Sequence, residues 1–164
     1  MAILITAATH ALAYRLARIL NNPEVFFGDQ NDLPAILGKK FIRIPPASSN
    51  SFSHEILKTC LDLDITSIYP LYRDEINELS KSRQLFAEYG IGLIMPYDEW
   101  LKNNLNVSLF STSNLAVLEN GVIKAGNLPD AAALPVEQVN GVFAWTVLDN
   151  VINYDLFVVK NIEI

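Results

Sequence analysis

The feature that most constrains this chain is the alternation of short, wholly apolar runs with segments whose apolar residues recur at helical spacing. Ala2 to Thr6 is such a run, the form taken by a strand buried on both faces of a parallel sheet. From Thr9 to Asn21, Leu12, Leu16, Ile19 and Leu20 fall on one helical face and Arg15 and Arg18 on the other, with Asn21, Asn22 and Pro23 as a stop. Val25 to Phe27, ending at Gly28, and Phe41 to Ile44, ending at Pro45 and Pro46, predict two further strands with no long helix between them. Phe52, Ile56, Leu57, Cys60 and Leu61 then form a helical stripe between Phe52 and Leu63, and Ile65 to Leu71 is a fourth strand. One helix is expected over Asp74 to Tyr89, with Ile76, Leu79, Arg83 and Phe86 on one side, acidic at its start and capped by Gly90, before a fifth strand over Ile91 to Met95. Strands joined by helical crossovers imply an open parallel sheet, so Met1 to about Asn104 reads as an α/β layer.

Beyond Asn104 the pattern changes. Only Lys124 and Lys160 of the twelve Lys and Arg lie there, and β-branched and aromatic residues take over. Leu115 to Leu118 and Val122 to Ala125 flank Glu119-Asn120-Gly121, which predicts a hairpin with a tight primed turn, and Val142 to Leu148 and Ile152 to Val159 around Asp149-Asn150 predict a second hairpin. Residues 105–164 therefore read as an antiparallel β extension. Phe143, Trp145 and Val147 alternate with Val142, Ala144 and Leu148, so neither face of that strand is polar. Such a hairpin needs cover, from the parallel sheet or from a second subunit, and Phe143, Trp145, Val147 and Phe157 are the candidate interface residues. With 51% hydrophobic residues and a mean hydropathy of +0.23, a homodimer is the expected outlet for surplus apolar surface.

Composition also narrows the function. A net charge of −6 and an isoelectric point near 4.8 oppose nucleic-acid binding, which needs clustered Lys and Arg. The single Cys60 allows no internal disulfide and sits inside an apolar stripe, where a small buried hydrophobe is expected and not a nucleophile. No basic segment precedes the first apolar run, and no run is long enough to cross a membrane. A cytoplasmic protein with no membrane partner is expected. His10 and His54 with scattered acids lack metal-ligand spacing, and neither a Walker loop nor a Gly-x-Ser-x-Gly elbow occurs. No catalytic residue, metal or cofactor is therefore assigned.

The first two thirds resembles the pre-ATP-grasp domain, the Rossmann-like module preceding the ATP-grasp domain in carbamoyl phosphate synthase large chains and related carboligases. The resemblance rests on Ile3-Leu4-Ile5-Thr6 leading into a small-residue turn and helix, on Asp29 after the second strand, and on Lys40-Phe41-Ile42-Arg43-Ile44-Pro45-Pro46-Ala47. It continues in Ile68-Tyr69-Pro70-Leu71-Tyr72-Arg73-Asp74-Glu75 and in Arg83 through Ile91. Two departures qualify what it implies. The first turn, Thr6-Ala7-Ala8-Thr9-His10-Ala11, has no glycine, so Cβ atoms stand where a phosphate would approach the backbone and positive φ becomes costly. The roughly 60 residues after Asn104 are too few to bury the core of an ATP-grasp domain. The resemblance thus implies a stand-alone, non-catalytic binding or interaction module, an accessory to a separate ATP-grasp chain or a homodimer.

The candidate ligand site is the carboxyl rim of the sheet, where open α/β folds converge polar groups. Thr6, Thr9 and His10 belong to the first turn, where an anionic ligand would meet free N–H groups; the plainer reading has Thr9 capping the helix and His10 solvated. Asp29 stands where such folds keep an acid for a ribose hydroxyl, or forms an ordinary turn. Tyr72, Asp74 and Glu75 line the same rim, or simply open a helix whose macrodipole favours acids. The alternative function is a small enzyme or sensor binding a nucleotide or anionic metabolite there.

Overall fold

A computed structural model describes residues 1–33, 40–104, 114–127 and 139–159. Strands β1 (Ala2–Ile5), β2 (Val25–Asp29), β3 (Phe41–Arg43), β4 (Ile65–Tyr69) and β5 (Gly92–Leu93) form one all-parallel sheet in the order β3-β2-β1-β4-β5. Helices α1 (Ala11–Leu20), α2 (Phe52–Asp62), α3 (Arg73–Lys81), α4 (Arg83–Glu88) and α5 (Asp98–Asn104) accompany it. This is a Rossmann-like α/β layer, as the alternation of runs requires. The stretch expected to lack a long helix between β2 and β3 includes residues 34–39, outside the described residues.

Successive residues of β1 serve opposite faces, as the twofold strand period dictates. Ala2 and Leu4 join Phe52, Ile56, Cys60, Ile76, Leu79 and Phe86 in one core. Ile3 and Ile5 join Ala13 and Leu16 of α1 in the other.

The helix expected over Asp74 to Tyr89 is in fact two. At Ser82 (φ −108°, ψ 12°) the backbone leaves helical geometry and its N–H turns to Leu79 O at 3.0 Å. Beside the break, Arg83 does not lie on the apolar face; its guanidinium donates to Pro96 O at 2.6 Å and pairs with Asp98 at 3.2 Å. Anchoring this long cation to the loop after β5 goes with re-aiming the chain at its base. Gly90 ends α4 as expected: at φ +71° it donates to Ala87 O, and Ile91 N–H reaches back to Phe86 O, both at 3.0 Å. This pair of bonds satisfies the last free carbonyls of the helix.

Strands β6 (Asn114–Glu119), β7 (Val122–Gly126), β8 (Gly141–Leu148) and β9 (Val151–Leu156) form the second sheet, antiparallel in the order β7-β6-β8-β9. Both predicted turns are present, with positive φ at Asn120 and Gly121 and at Asp149 and Asn150. The two sheets share their cores. Phe143 and Leu156 pack into the α2–α4 side, whereas Val117, Val142, Ala144 and Phe157 pack into the α1 side. Val159 bridges Tyr72 in parallel and donates its N–H to Leu71 O at 2.8 Å.

The cover that β8 needs is thus supplied by the chain itself at Phe143 (1% exposed), Trp145 (8%) and Phe157 (2%). Trp100 meets Phe143 edge-on at 5.7 Å, and the Trp145 indole N–H donates to Asn127 O at 2.6 Å. Only Val147 of the four candidate interface residues stays exposed, with Leu148 and Val151 around the turn. Among the described residues no helix is long and apolar enough to cross a membrane.

Candidate functional site

The strand order places the ends of β1, β2 and β4 side by side, and the register Ile5↔Tyr69 and Ile5↔Phe27 aligns the residues that follow them. Thr6, Thr9, His10, Asp29, Tyr72, Asp74 and Glu75 consequently meet at one rim.

Asp29 is its hub. The carboxylate is fully buried. Its Oδ2 accepts from the Thr9 N–H at 2.9 Å, the Thr9 hydroxyl at 2.8 Å and the Tyr72 hydroxyl at 3.2 Å. Its Oδ1 accepts from the Asn31 N–H at 3.0 Å and the Asn31 side-chain amide at 3.2 Å. Five donors on one carboxylate compensate its removal from water. The Thr9 and Tyr72 hydroxyls also lie 3.0 Å apart, closing a triangle.

This arrangement corrects the simple capping role for Thr9. Helix α1 starts at Ala11 with His10 as its N-cap, and no side chain caps it; Thr9 is spent on Asp29 instead. The His10 ring stands edge-on to Tyr72 at 5.9 Å. Ala7, at φ 59°, takes the left-handed conformation that favours glycine. That geometry costs an alanine about 1–2 kcal/mol. It is held in place by neighbours: Thr6 N–H to Tyr69 O, Ala8 N–H to Gly28 O and His10 N–H to Ala7 O.

Thr6 is buried and accepts the Leu71 N–H at 2.8 Å, tying the first turn to the chain after β4. Glu75, third residue of α3 and 4% exposed, bonds the Thr6 side chain and the backbone N–H of the N-cap Tyr72. The second bond is half of a capping box. Its other oxygen, Oε2, is buried with no partner. Burial, with Asp29 and Asp74 nearby, drives the Glu75 carboxyl up to about 8, so it holds its proton at neutral pH. Burial likewise pushes the Tyr72 phenol up to about 12.

A cavity of about 80 Å³ opens beside this cluster, lined by Gln30, Pro46, Ala47, Ser48, Tyr72, Asp74 and Glu75. Asp74 is exposed. A larger cavity of about 490 Å³ lies at the opposite, amino end of the strands around Met1, Pro23, Lys40 and Asp64. It is open and mostly apolar, with its Met1 ammonium paired to Glu24, and no buried polar group with an unmet bond faces it. Volume and chemistry therefore point to different ends, and the chemistry is at the rim. Cys60 is buried and its thiol is pushed up to about 12 by burial, which suits a core residue. Among the described residues no group of three His, Cys, Asp or Glu is placed to hold a metal ion.

Sequence reasoning missed Asn31, Gln30 and Ser48. Asn31 carried a signal, since Asp followed two residues later by a turn residue is the spacing at which a carboxylate accepts a backbone N–H. Gln30 and Ser48 carried none, because only the β2–β3 pairing brings their loops to Glu75. No family model and no curated protein matches the chain.

Proposed function

We propose that this chain is a non-catalytic binding module of the pre-ATP-grasp type, with the carboxyl rim of its parallel sheet as its working surface, acting with a separate ATP-grasp chain or a second copy of itself. The observation that carries the reading is the saturation of Asp29. Acid–base catalysis needs a group free to exchange a proton with a reacting atom. At this rim Asp29, the Tyr72 phenol and the Thr9 hydroxyl are bonded to one another, Asp29 is sealed from solvent, and Glu75, which keeps one unpartnered oxygen, is itself only 4% exposed. These groups hold the rim in shape, which is what recognition requires. One polar cavity stays open beside them.

Two measurements on the purified chain test the reading. With ATP and magnesium, no phosphate release is expected; turnover that disappears in Thr9→Val would overturn it. In a thermal-shift panel a ligand at a hundred times its dissociation constant adds about 2.7 kcal/mol of apparent stability. A response to nucleotides or anionic metabolites would favour the alternative of a small enzyme or sensor, for which the α1 start without a side-chain cap is the supporting feature.

A further inference from the structure

We propose that β9 is the contact through which two copies of this chain associate, the free edges of the two strands pairing antiparallel about a twofold axis at Asn153. The binding-module reading names a second copy as one of two partners; the inference rests on that reading and supplies the contact.

The two sheets end in four strand edges, β3, β5, β7 and β9. An edge strand carries a row of unpaired N–H and C=O groups that accepts another strand unless something blunts it. Three of the edges are blunted. β3 has three residues and ends in the exposed Arg43, and β5 has only two. β7 breaks its register opposite Val117 and Leu118 and carries the exposed Lys124. β9 has none of these devices. Its six residues contain no lysine, arginine, proline or glycine, and its register with β8 runs unbroken from Leu148↔Val151 to Phe143↔Leu156.

Turn geometry dictates which backbone groups point outward. The two-residue turn Asp149-Asn150 makes Leu148↔Val151 a hydrogen-bonded pair, and alternation makes Thr146↔Asn153 and Ala144↔Asp155 the next two. The bond from the Phe157 N–H to Val142 O at 2.7 Å continues the series. The N–H and C=O groups of Ile152 and Tyr154 therefore face away from β8, where no strand among the described residues meets them.

Burial and charge fix the register. Val151 is exposed and Ile152 to Asp155 are half-buried, whereas Leu156 to Val159 are buried. The open stretch is thus Val151 to Asp155, centred on Asn153, and a twofold axis there makes it its own complement. Ile152 exchanges backbone bonds with Tyr154 of the second copy, and Tyr154 with its Ile152, which sets a β-branched residue beside an aromatic one in a favourable cross-strand pair. Asp155 is the only charge on the stretch. In this register its two copies stand about 14 Å apart along the strands, at roughly 3.4 Å per residue, beyond the ~8 Å over which exposed charges act at physiological ionic strength. A register centred on Asp155 would set them face to face.

Cysteine cross-linking of the intact chain tests the contact, since its single cysteine, Cys60, is buried. Asn153→Cys places a thiol on the axis, in a pair that exchanges no backbone bonds across the contact, where Cα atoms approach to about 4.5 Å and a disulfide can close. Under mild oxidation it is expected to yield a covalent dimer, while Asp155→Cys stays monomeric. Light scattering of the wild type at micromolar concentration is expected to give the dimer mass. Ile152→Pro deletes one outward N–H and no bond to β8, and is expected to give the monomer mass with unchanged far-ultraviolet circular dichroism. A monomeric wild type, cross-linking of Asp155→Cys as readily as Asn153→Cys, or a dimer that survives in folded Ile152→Pro would overturn the proposal, and the cross-linking comparison decides it where Ile152→Pro does not fold. A monomeric wild type leaves the binding module standing with a separate chain as its partner, whereas ATP turnover lost in Thr9→Val sinks that reading and leaves the contact to be judged by its cross-links.

Discussion

The carboxyl rim of the parallel sheet and the far turn of the β8–β9 hairpin reverse the usual distribution of polarity. At the rim a carboxylate, a threonine, a glutamic acid and a tyrosine are buried, with a second threonine half-buried beside them. At the turn Val147, Leu148 and Val151 stand 52%, 54% and 59% exposed. The rim can bury its polar groups because each has a partner supplied by a neighbouring strand end, with Glu75 Oε2 as the exception. The turn exposes its apolar groups because the cores it could enter are filled further up the same strands by Phe143, Val142 and Ala144. Inside the chain, polarity is a matter of matched partners; outside it, apolarity is a matter of missing ones.

The largest effect expected comes from breaking the rim at its hub. Asp29→Ala removes the acceptor for five hydrogen bonds from Thr9, Tyr72 and Asn31 and strands the buried Tyr72 hydroxyl and the half-buried donors of Thr9 and Asn31. A loss of about 3–5 kcal/mol is expected, read as a lower urea midpoint with an unchanged slope. Asp29→Asn keeps part of the acceptor and is expected to lose less. A loss under 1 kcal/mol for the alanine variant would show that the rim is not held by this carboxylate.

A smaller, pH-dependent effect sharpens the same contrast. Glu75 ionises near 8 in the folded chain against an ordinary 4.5, so between those values the folded state holds a proton the unfolded chain has given up. Its contribution to stability is therefore full below pH 4.5, falls as the pH rises, and is gone above about 8. The slope approaches about 1.4 kcal/mol per pH unit inside the window. Urea midpoints of wild type and Glu75→Gln, compared from pH 5 to pH 9, are expected to diverge by that slope, the variant being the flatter. Parallel curves would mean that Glu75 is ionised in the fold.

How far the sequence reaches can be judged from these same residues. Short apolar runs, helical stripes and the Asn120-Gly121 and Asp149-Asn150 turns are local patterns, and the elements they predict are present. The meeting of Thr9, Asp29 and Tyr72 was legible only as membership of one rim, because fold class places strand ends together without saying which side chains bond. Glu75 was readable as a first-turn acid, but its burial depends on Thr6 and the loops around Gln30 and Ser48. Ala7 shows the limit in the other direction: the missing glycine was visible, and the chain adopts the left-handed turn regardless, because bonds from β2 and β4 hold it there. The break at Ser82 was hidden because Arg83 fits a helical stripe and its partners lie after the next strand.

The smallest effect on stability is expected at the exposed turn, where the effect on association is the informative one. Trp145 is no probe for it, being buried and bonded to Asn127, so that a charge there would unfold the sheet before it reported on a partner. Val147→Ser, Leu148→Ser and Val151→Thr remove apolar surface that water already reaches, and each is expected to change folding stability by no more than about 0.5 kcal/mol. If a second copy covers this turn, light scattering at micromolar concentration gives the wild type a dimer mass and the triple variant a monomer mass, because the same three residues are lost from both sides of a twofold contact. A monomeric wild type would assign the turn's exposed residues no role in self-association, leaving a different chain as the partner to seek. A dimer that survives the triple substitution would move the contact elsewhere on the surface, and the inversion of polarity between rim and turn would then be a property of folding alone.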